Sequence, residues 1–320
     1  MLGSLLNYFA SPSALRNAGV LGMNRRNHDY IAAYNKRKYY PMVDDKLITK
    51  ELALKVGVPT AGLIGTIRYQ YEAKNFMRMT EYYPSFVIKP GHGSGTGGIL
   101  VIKSHDGENF RKADGSVIGY QQVYSHITNI LSGLYSLGGQ IDYALFEECI
   151  SFSEIFSDFS YQGVPDIRII VFQGYPVMAM MRLATKRSDG RANLHQGAVG
   201  VGLSIRSGEP RQAVLLDEPV THHPDTGRAL SELAVPEWGK HLELAARCAK
   251  MIRLGYFGAD IVNDSEKGPL LLELNARPGL GIQIANRAGL RSRLELIESL
   301  PPNAMLSVRE KIGFAQAHFD

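Results

Sequence analysis

At 320 residues and 45% hydrophobic content, the chain can build one large or two medium domains around a sizeable core. Its net charge of +4, from 35 basic and 31 acidic residues, is too small and dispersed to make nucleic acid the main partner, although a mildly basic cleft for an anionic ligand stays open. Two distant cysteines, Cys149 and Cys248, give neither a disulfide framework nor zinc-ligand spacing, so a reducing, cytoplasmic compartment is expected.

The opening residues carry a short apolar patch with no basic segment before it, so no leader peptide is expected. No run reaches the ~18 uncharged apolar residues needed to span a bilayer. Contact of residues 1–10 with a membrane surface stays open. Residues 24–40, NRRNHDYIAAYNKRKYY, are basic and aromatic and suit a helix, either solvated and packed on the body or contacting phosphate. Residues 44–60 have helical periodicity that stops at Gly57 before Val-Pro. SFVIKP (85–90) reads as a strand, and GHGSGTGGILVI (91–102) as a glycine-rich turn entering a second strand. YALFEECI (143–150) is a buried strand, and 166–184 is a hairpin turning at Gly-Tyr-Pro. A helix over 237–253 precedes two strands, GADIV (258–262) and PLLLELN (269–275). The balance is α+β with many hairpins. Regular β-α-β alternation is lacking, which disfavours a doubly wound sheet.

Three clusters could carry chemistry. Glycines 91, 93, 95, 97 and 98 let backbone N–H groups approach an anion, and Lys89 stands before them as a fixed cation; a merely flexible hairpin is the plainer reading. Strand alternation puts Glu273 and Asn275 on one face, within reach of Asp260 on the neighbouring strand. Two carboxylates and an amide oxygen suit magnesium held jointly with phosphates; otherwise they are polar strand ends in solvent. Arg168 and Arg182 share a hairpin near Lys186, Asn193 and His195, placed either for gripping an oxyanion or for surface ion pairs.

Taken in order, Lys46, Lys89 with its glycine loop, FEECI (146–150), DIR (166–168), Arg182, NLHQG (193–197), Asp260 and ELNARPG (273–279) resemble the ATP-grasp superfamily. The nearest likeness is to RimK-type alpha-L-glutamate ligases, from about residue 44 to 290. The resemblance implies two α+β subdomains clamping ATP between antiparallel sheets. Lys46 and Lys89 would contact phosphates, and the loop with Gly93, Ser94, Gly95, Thr96, Gly97 and Gly98 would fold over them. Glu147, Glu148, Cys149 and Ile150 would line the adenine, and Glu154 the ribose. Asp260, Glu273 and Asn275 would bind magnesium, as two ions with manganese able to substitute. Arg182 would steady an acyl phosphate beside Arg168, Asn193 would sit near the metals, and Arg277 would hold a substrate carboxylate or phosphate.

The implied reaction joins a carboxylate, such as glutamate, to an amine of a peptide or small molecule, with ATP yielding ADP and phosphate. Two departures stand out. Residues 1–44 replace the full N-terminal domain usual in the family, and SFSEIFSDFSYQG (151–163) lengthens the segment after FEECI. The expected organisation is therefore a short segment 1–44, an N-terminal subdomain 45–147, a C-terminal subdomain 148–303 and a tail 304–320. Residues 24–40 or a second subunit could supply the missing wall, which leaves a homo-oligomer open. Rival readings are a saccharide-biosynthesis-associated or kinase-like ATP-grasp enzyme, and a non-catalytic nucleotide-binding regulator.

Overall fold

The computed structural model describes residues 10–93, 97–301 and 306–320. Six strands, β1 (Leu63–Ile67), β2 (Phe86–Pro90), β3 (Leu100–His105), β4 (Asn109–Lys112), β5 (Val117–Gly119) and β6 (Ala144–Glu148), form an antiparallel sheet ordered β1-β6-β2-β3-β4-β5. Helix α1 (Lys46–Lys55) precedes it and ends, as the sequence predicts, at Gly57 with φ +65°. Helix α2 (Tyr120–Leu131) covers the sheet through Val123, Ile127, Ile130 and Leu131, spaced three and four apart. These pack with Phe86, Ile88, Phe110 and Phe146 into one core.

Seven strands form the larger sheet: β7 (Asp166–Phe172), β8 (Tyr175–Leu183), β9 (Val199–Leu203), β10 (Pro210–Leu215), β11 (Glu218–Val220), β12 (Tyr256–Asp264) and β13 (Gly268–Asn275). Their order is β11-β10-β9-β8-β7-β12-β13, with every pairing antiparallel. Helix α3 (Trp238–Met251) buries Leu242, Ala245 and Cys248 in the core that holds Ile167, Ile169 and Ile261. By strand alternation, Asp166, Arg168 and Asp260 then face the other way. Three further helices follow: α4 (Ile282–Asn286) lies on that opposite face, α5 (Arg291–Glu298) comes next, and α6 (Val308–His318) packs on β8 and α3. Among the described residues no helix is long and apolar enough to cross a membrane.

Two crossings join the sheets. Thr60 bridges to Leu271, whose N–H donates to the Pro59 carbonyl at 2.8 Å. Beyond β6, the Ser151 N–H donates to Asp264 at 2.9 Å. Between the crossings, Ala61, Ile150, Val262 and Leu270 form a small apolar cluster.

The segment over 24–40 is not one helix. A helix over 23–34, wound as a π-helix at Arg26–Ala32, is followed by a short turn at Arg37–Tyr39, with Asn35 paired to Leu254 between them. Asn35 is buried: its side chain accepts from the Tyr256 N–H at 3.0 Å and donates to the Tyr256 carbonyl at 2.6 Å. Tyr30, 2% exposed, meets Phe172 edge-on at 5.5 Å. Specific packing on the larger sheet therefore overrides helical continuity.

Candidate active site

The site begins with how Lys46 is held. Asp45 caps α1, accepting the N–H groups of Leu47 at 2.9 Å and Ile48 at 3.0 Å. The same carboxylate accepts the Tyr143 hydroxyl at 2.6 Å and lies 3.1 Å from His92 Nε2. His92 in turn meets buried Asp142 through Nδ1 at 2.8 Å. Gly91 lets the chain pass here, because a Cβ at that position would lie 2.2 Å from the Tyr143 ring. One carboxylate network thus ties the start of α1 to the root of the glycine loop, and Lys46 Nζ donates to the Gly93 carbonyl at 2.6 Å.

One turn further, Lys50 projects from the same side of α1. Its Nζ pairs with Glu147 at 2.8 Å and also donates to Thr60 Oγ1 and the Ala61 carbonyl. Lys89 reaches the other Glu147 oxygen at 2.6 Å, from a diagonal position on β2. Burial alone would raise the Glu147 carboxyl, but Lys89 and Lys50 overcome it and hold it below the ordinary value. Glu147, 6% exposed as a residue, is thus a buried counter-charge between two lysines. Sequence reasoning missed Lys50, although its spacing of four from Lys46 was the available signal.

The opposing surface is the open face of the larger sheet. Its register sets Arg168 against Asp260 and Asp260 against Glu273. A bulge between Asp260 and Ile261 leaves Leu272 unpaired and 39% exposed beside the buried Leu270 and Leu271. Arg168 grips Asp260 with two bonds, at 2.7 and 2.6 Å. Arg182 adds a third at 2.7 Å and holds Asp166 through two bonds of 2.5 Å. Burial would raise Asp260, yet Arg168 and Arg182 bring it down to about 2.

Glu273 is different. Among the described residues no donor reaches its carboxylate, and burial followed by the Asp260 charge raises it above the ordinary glutamate value. Burial also lowers the Lys46 ammonium, with Glu273 opposing that shift. Asn275 Oδ1 accepts the Arg277 N–H at 2.8 Å, so one of its lone pairs stays free. Three of the roughly four lone-pair positions on Asp260 are taken, which leaves one. This donor set fits magnesium: hard oxygens, one carboxylate without a donor, and few enough ligands to leave room for phosphate oxygens. Among the described residues no group of three or more His, Cys, Asp or Glu could hold a metal alone, so Asn275 matters to the fit.

Two cavities adjoin these groups. Lys46, Lys50, Lys89, Glu147 and Glu273 line one of about 30 Å³ between the sheets. The second, of about 310 Å³, is lined by Arg168, Arg182, Asn193 and His195 among others. Asn193 caps the short turn Leu194–Gln196, accepting the His195 N–H at 3.1 Å. Arg277 is exposed, with its guanidinium 4.6 Å from the Tyr40 ring centre.

Other expected residues lie apart from both cavities. Glu148 pairs with Lys267 at 2.9 Å, and Ile150 belongs to the apolar cluster at the join. The Cys149 thiol, raised by burial, lies 3.5 Å from the Ile102 carbonyl. Glu154 is exposed at the start of the turn Glu154–Phe159. Gly97 and Gly98 form a turn beside His126, whereas Ser94, Gly95 and Thr96 fall outside the described residues.

Comparison with known proteins adds a family. A model described as sugar-transfer associated ATP-grasp matches residues 25–299. Two curated relatives, each named probable alpha-L-glutamate ligase, come from Citrobacter koseri and Thioalkalivibrio sulfidiphilus. They are 31% identical over 129 and 133 residues. Those matches cover 38% and 41% of this chain and 32% and 33% of the relatives, so the chain spans about a third of their length. Among solved structures, ATP-grasp ligase PsnB with minimal precursor, Mg and ADP is 12% identical, with a TM-score of 0.45 over 88% of this chain and 62% of that one. D-cycloserine synthetase DcsG is 15% identical, with a TM-score of 0.45 over 81% and 71%.

Proposed function

Because the chain belongs to the sugar-transfer associated ATP-grasp family, we propose that it is a magnesium-ATP-dependent carboxylate–amine ligase working through an acyl phosphate. The observation that carries this reading is one cleft with Lys46, Lys50 and Lys89 lining it together with Glu273, which opposes Asp260 on the larger sheet. In the proposed reaction a substrate carboxylate attacks the γ-phosphorus and ADP leaves. An amine then attacks the acyl carbon, phosphate leaves, and an amide remains.

Such phosphoryl transfer asks the protein for positioning and charge rather than a covalent nucleophile. Lys46 and Lys89 offer fixed cations to phosphate oxygens. Glu147 holds Lys89 and Lys50 in place, and Asp45 does the same for the start of α1. Glu273, Asp260 and Asn275 would hold magnesium, which neutralises phosphate charge when bound. Arg168 and Arg182, fixed by Asp260 and Asp166, keep further N–H groups for the acyl phosphate.

Glutamate is the first carboxylate to test, because both curated relatives are named as glutamate ligases. The family description, sugar-transfer associated, makes a saccharide-borne amine the first acceptor to test. The deciding variant is Glu273→Gln. It should abolish magnesium-ATP-dependent ADP release while the circular dichroism spectrum stays unchanged. Turnover at the unaltered rate would remove the metal assignment.

A further inference from the structure

We propose that His92 is a positioning residue for the phosphate site, acting as an imidazolium clasp between Asp45 and Asp142. The clasp holds the start of α1, and Lys46 with it, to the root of the glycine loop. This rests on the ligase reading above and adds to it a pH dependence of magnesium-ATP binding.

Donors and acceptors carry the argument. Nδ1 of His92 lies 2.8 Å from Asp142 Oδ1, and Nε2 lies 3.1 Å from Asp45 Oδ2. A carboxylate only accepts, and a neutral imidazole donates from one nitrogen alone. Both contacts are therefore made only when each ring nitrogen carries a proton. Among the described residues no other histidine sets both nitrogens on carboxylates; His28 meets Asp29 alone. Asp44 adds a third acidic group nearby, itself beside Arg277. The other facing cations are Lys46, whose Nζ donates to the Gly93 carbonyl, and Arg68, 4.7 Å from the Tyr143 ring centre. Tyr143 meets the imidazole edge-on at 5.4 Å.

The two sides of the clasp are unequal. Asp142 is buried, and it also accepts the His92 N–H at 3.0 Å, the Tyr143 N–H at 2.8 Å and the Ser136 hydroxyl at 2.6 Å. Gly93, next in the chain, bridges to Ser136, so this side is locked into the loop root. Asp45 is only half-buried. Loss of one proton therefore leaves Nδ1–H on Asp142 and sets the Nε2 lone pair against Asp45 Oδ2. The start of α1 is the side that lets go, and Lys46 loses its fixed place beside the loop. Binding weakens as pH rises through the ring's titration, the sign expected of a cation held by two anions.

The test titrates the full chain with magnesium and a nonhydrolysable ATP analogue in a calorimeter, from about pH 5.5 to about pH 8.5. Heteronuclear spectra of histidine-labelled protein, assigned by His92→Gln, report the protons on the ring in the same samples. At the acid end both nitrogens should carry protons, and the analogue should bind roughly tenfold tighter than to His92→Gln, as one charged contact provides. That gap should close as pH rises, with the midpoint of the ring titration; comparison at each pH removes the titration of the nucleotide itself. Asp45→Asn separates the clasp from a merely structural role. Its oxygen can keep the helix N–H groups and the Tyr143 hydroxyl, which all meet Oδ1, while its amide nitrogen replaces Oδ2 and donates to a neutral Nε2. In that variant the ring should rest as the Nδ1–H tautomer, and the fall in affinity with rising pH should disappear. A ring that stays neutral at the acid end, a gap that ignores pH, or a pH dependence that survives Asp45→Asn would overturn the proposal. No binding of the analogue at any pH would refute the ligase reading, and the ring spectra would still show separately whether the clasp forms.

Discussion

Glu273 and Asp260 face each other across one strand pair, yet folding treats them oppositely. Asp260, held at about 2 by its arginines, is ionised more readily in the folded chain than the ordinary value of 3.8. Its contribution to stability is therefore present above that ordinary value and disappears as pH falls toward 2. Glu273 has a raised carboxyl, so its ionised form opposes folding at neutral pH, and that opposition fades as pH falls through the raised value. Glu273→Gln, the variant expected to end turnover, should thus raise the melting temperature of the ligand-free protein at pH 7. Each kcal/mol gained would appear as roughly 1–2 °C in calorimetry, with the gap closing on acidification. A lower melting temperature would mean that Glu273 is satisfied by a protein donor. A carboxylate that destabilises its own fold until a ligand arrives is expected of a binding site.

At the scale of elements, a helix cap and a bulge aim the site. Asp45 serves α1 and the loop root together, so Asp45→Ala should cost about 1–2 kcal/mol of stability and weaken ATP binding. Asp45→Asn keeps an acceptor for the helix N–H groups and should recover most of the stability. Equal ATP affinity in all three proteins would separate the cap from the site. The strands that form the cleft were legible: β2, β6, β7, β8, β12 and β13 all read as apolar runs between turn residues, and the opposition of Asp260 and Glu273 followed from that hairpin. The β9 strand was not. Its sequence, VGVGL, alternates glycine because packing forbids more; a Cβ on Gly202 would lie 2.3 Å from the Ala285 carbonyl. Lys50 and Asp166 also escaped, since each matters only through a partner brought close by tertiary register. Polar residues on a helix or strand end look alike until the facing residue is known.

The described chain is two antiparallel sheets joined at residues 59–62 and 148–153, with the proposed chemistry in the cleft between them. In this structure the cleft cavity of about 30 Å³ admits no more than about two water molecules, far below a nucleotide. In the proposed reading the cleft would have to widen for a nucleotide to enter, and the sheets are joined only near 59–62 and 148–153 among the crossings described above. Closure afterwards would exclude water from the acyl phosphate, which hydrolysis would otherwise waste. The measurement that bears most directly on this account is ADP release from magnesium-ATP, screened against pooled amino acids with and without pooled amines. Sustained release that requires both a carboxylate and an amine is the predicted result. Release supported by a saccharide hydroxyl alone, or none with any pool despite tight magnesium-ATP binding, would contradict it.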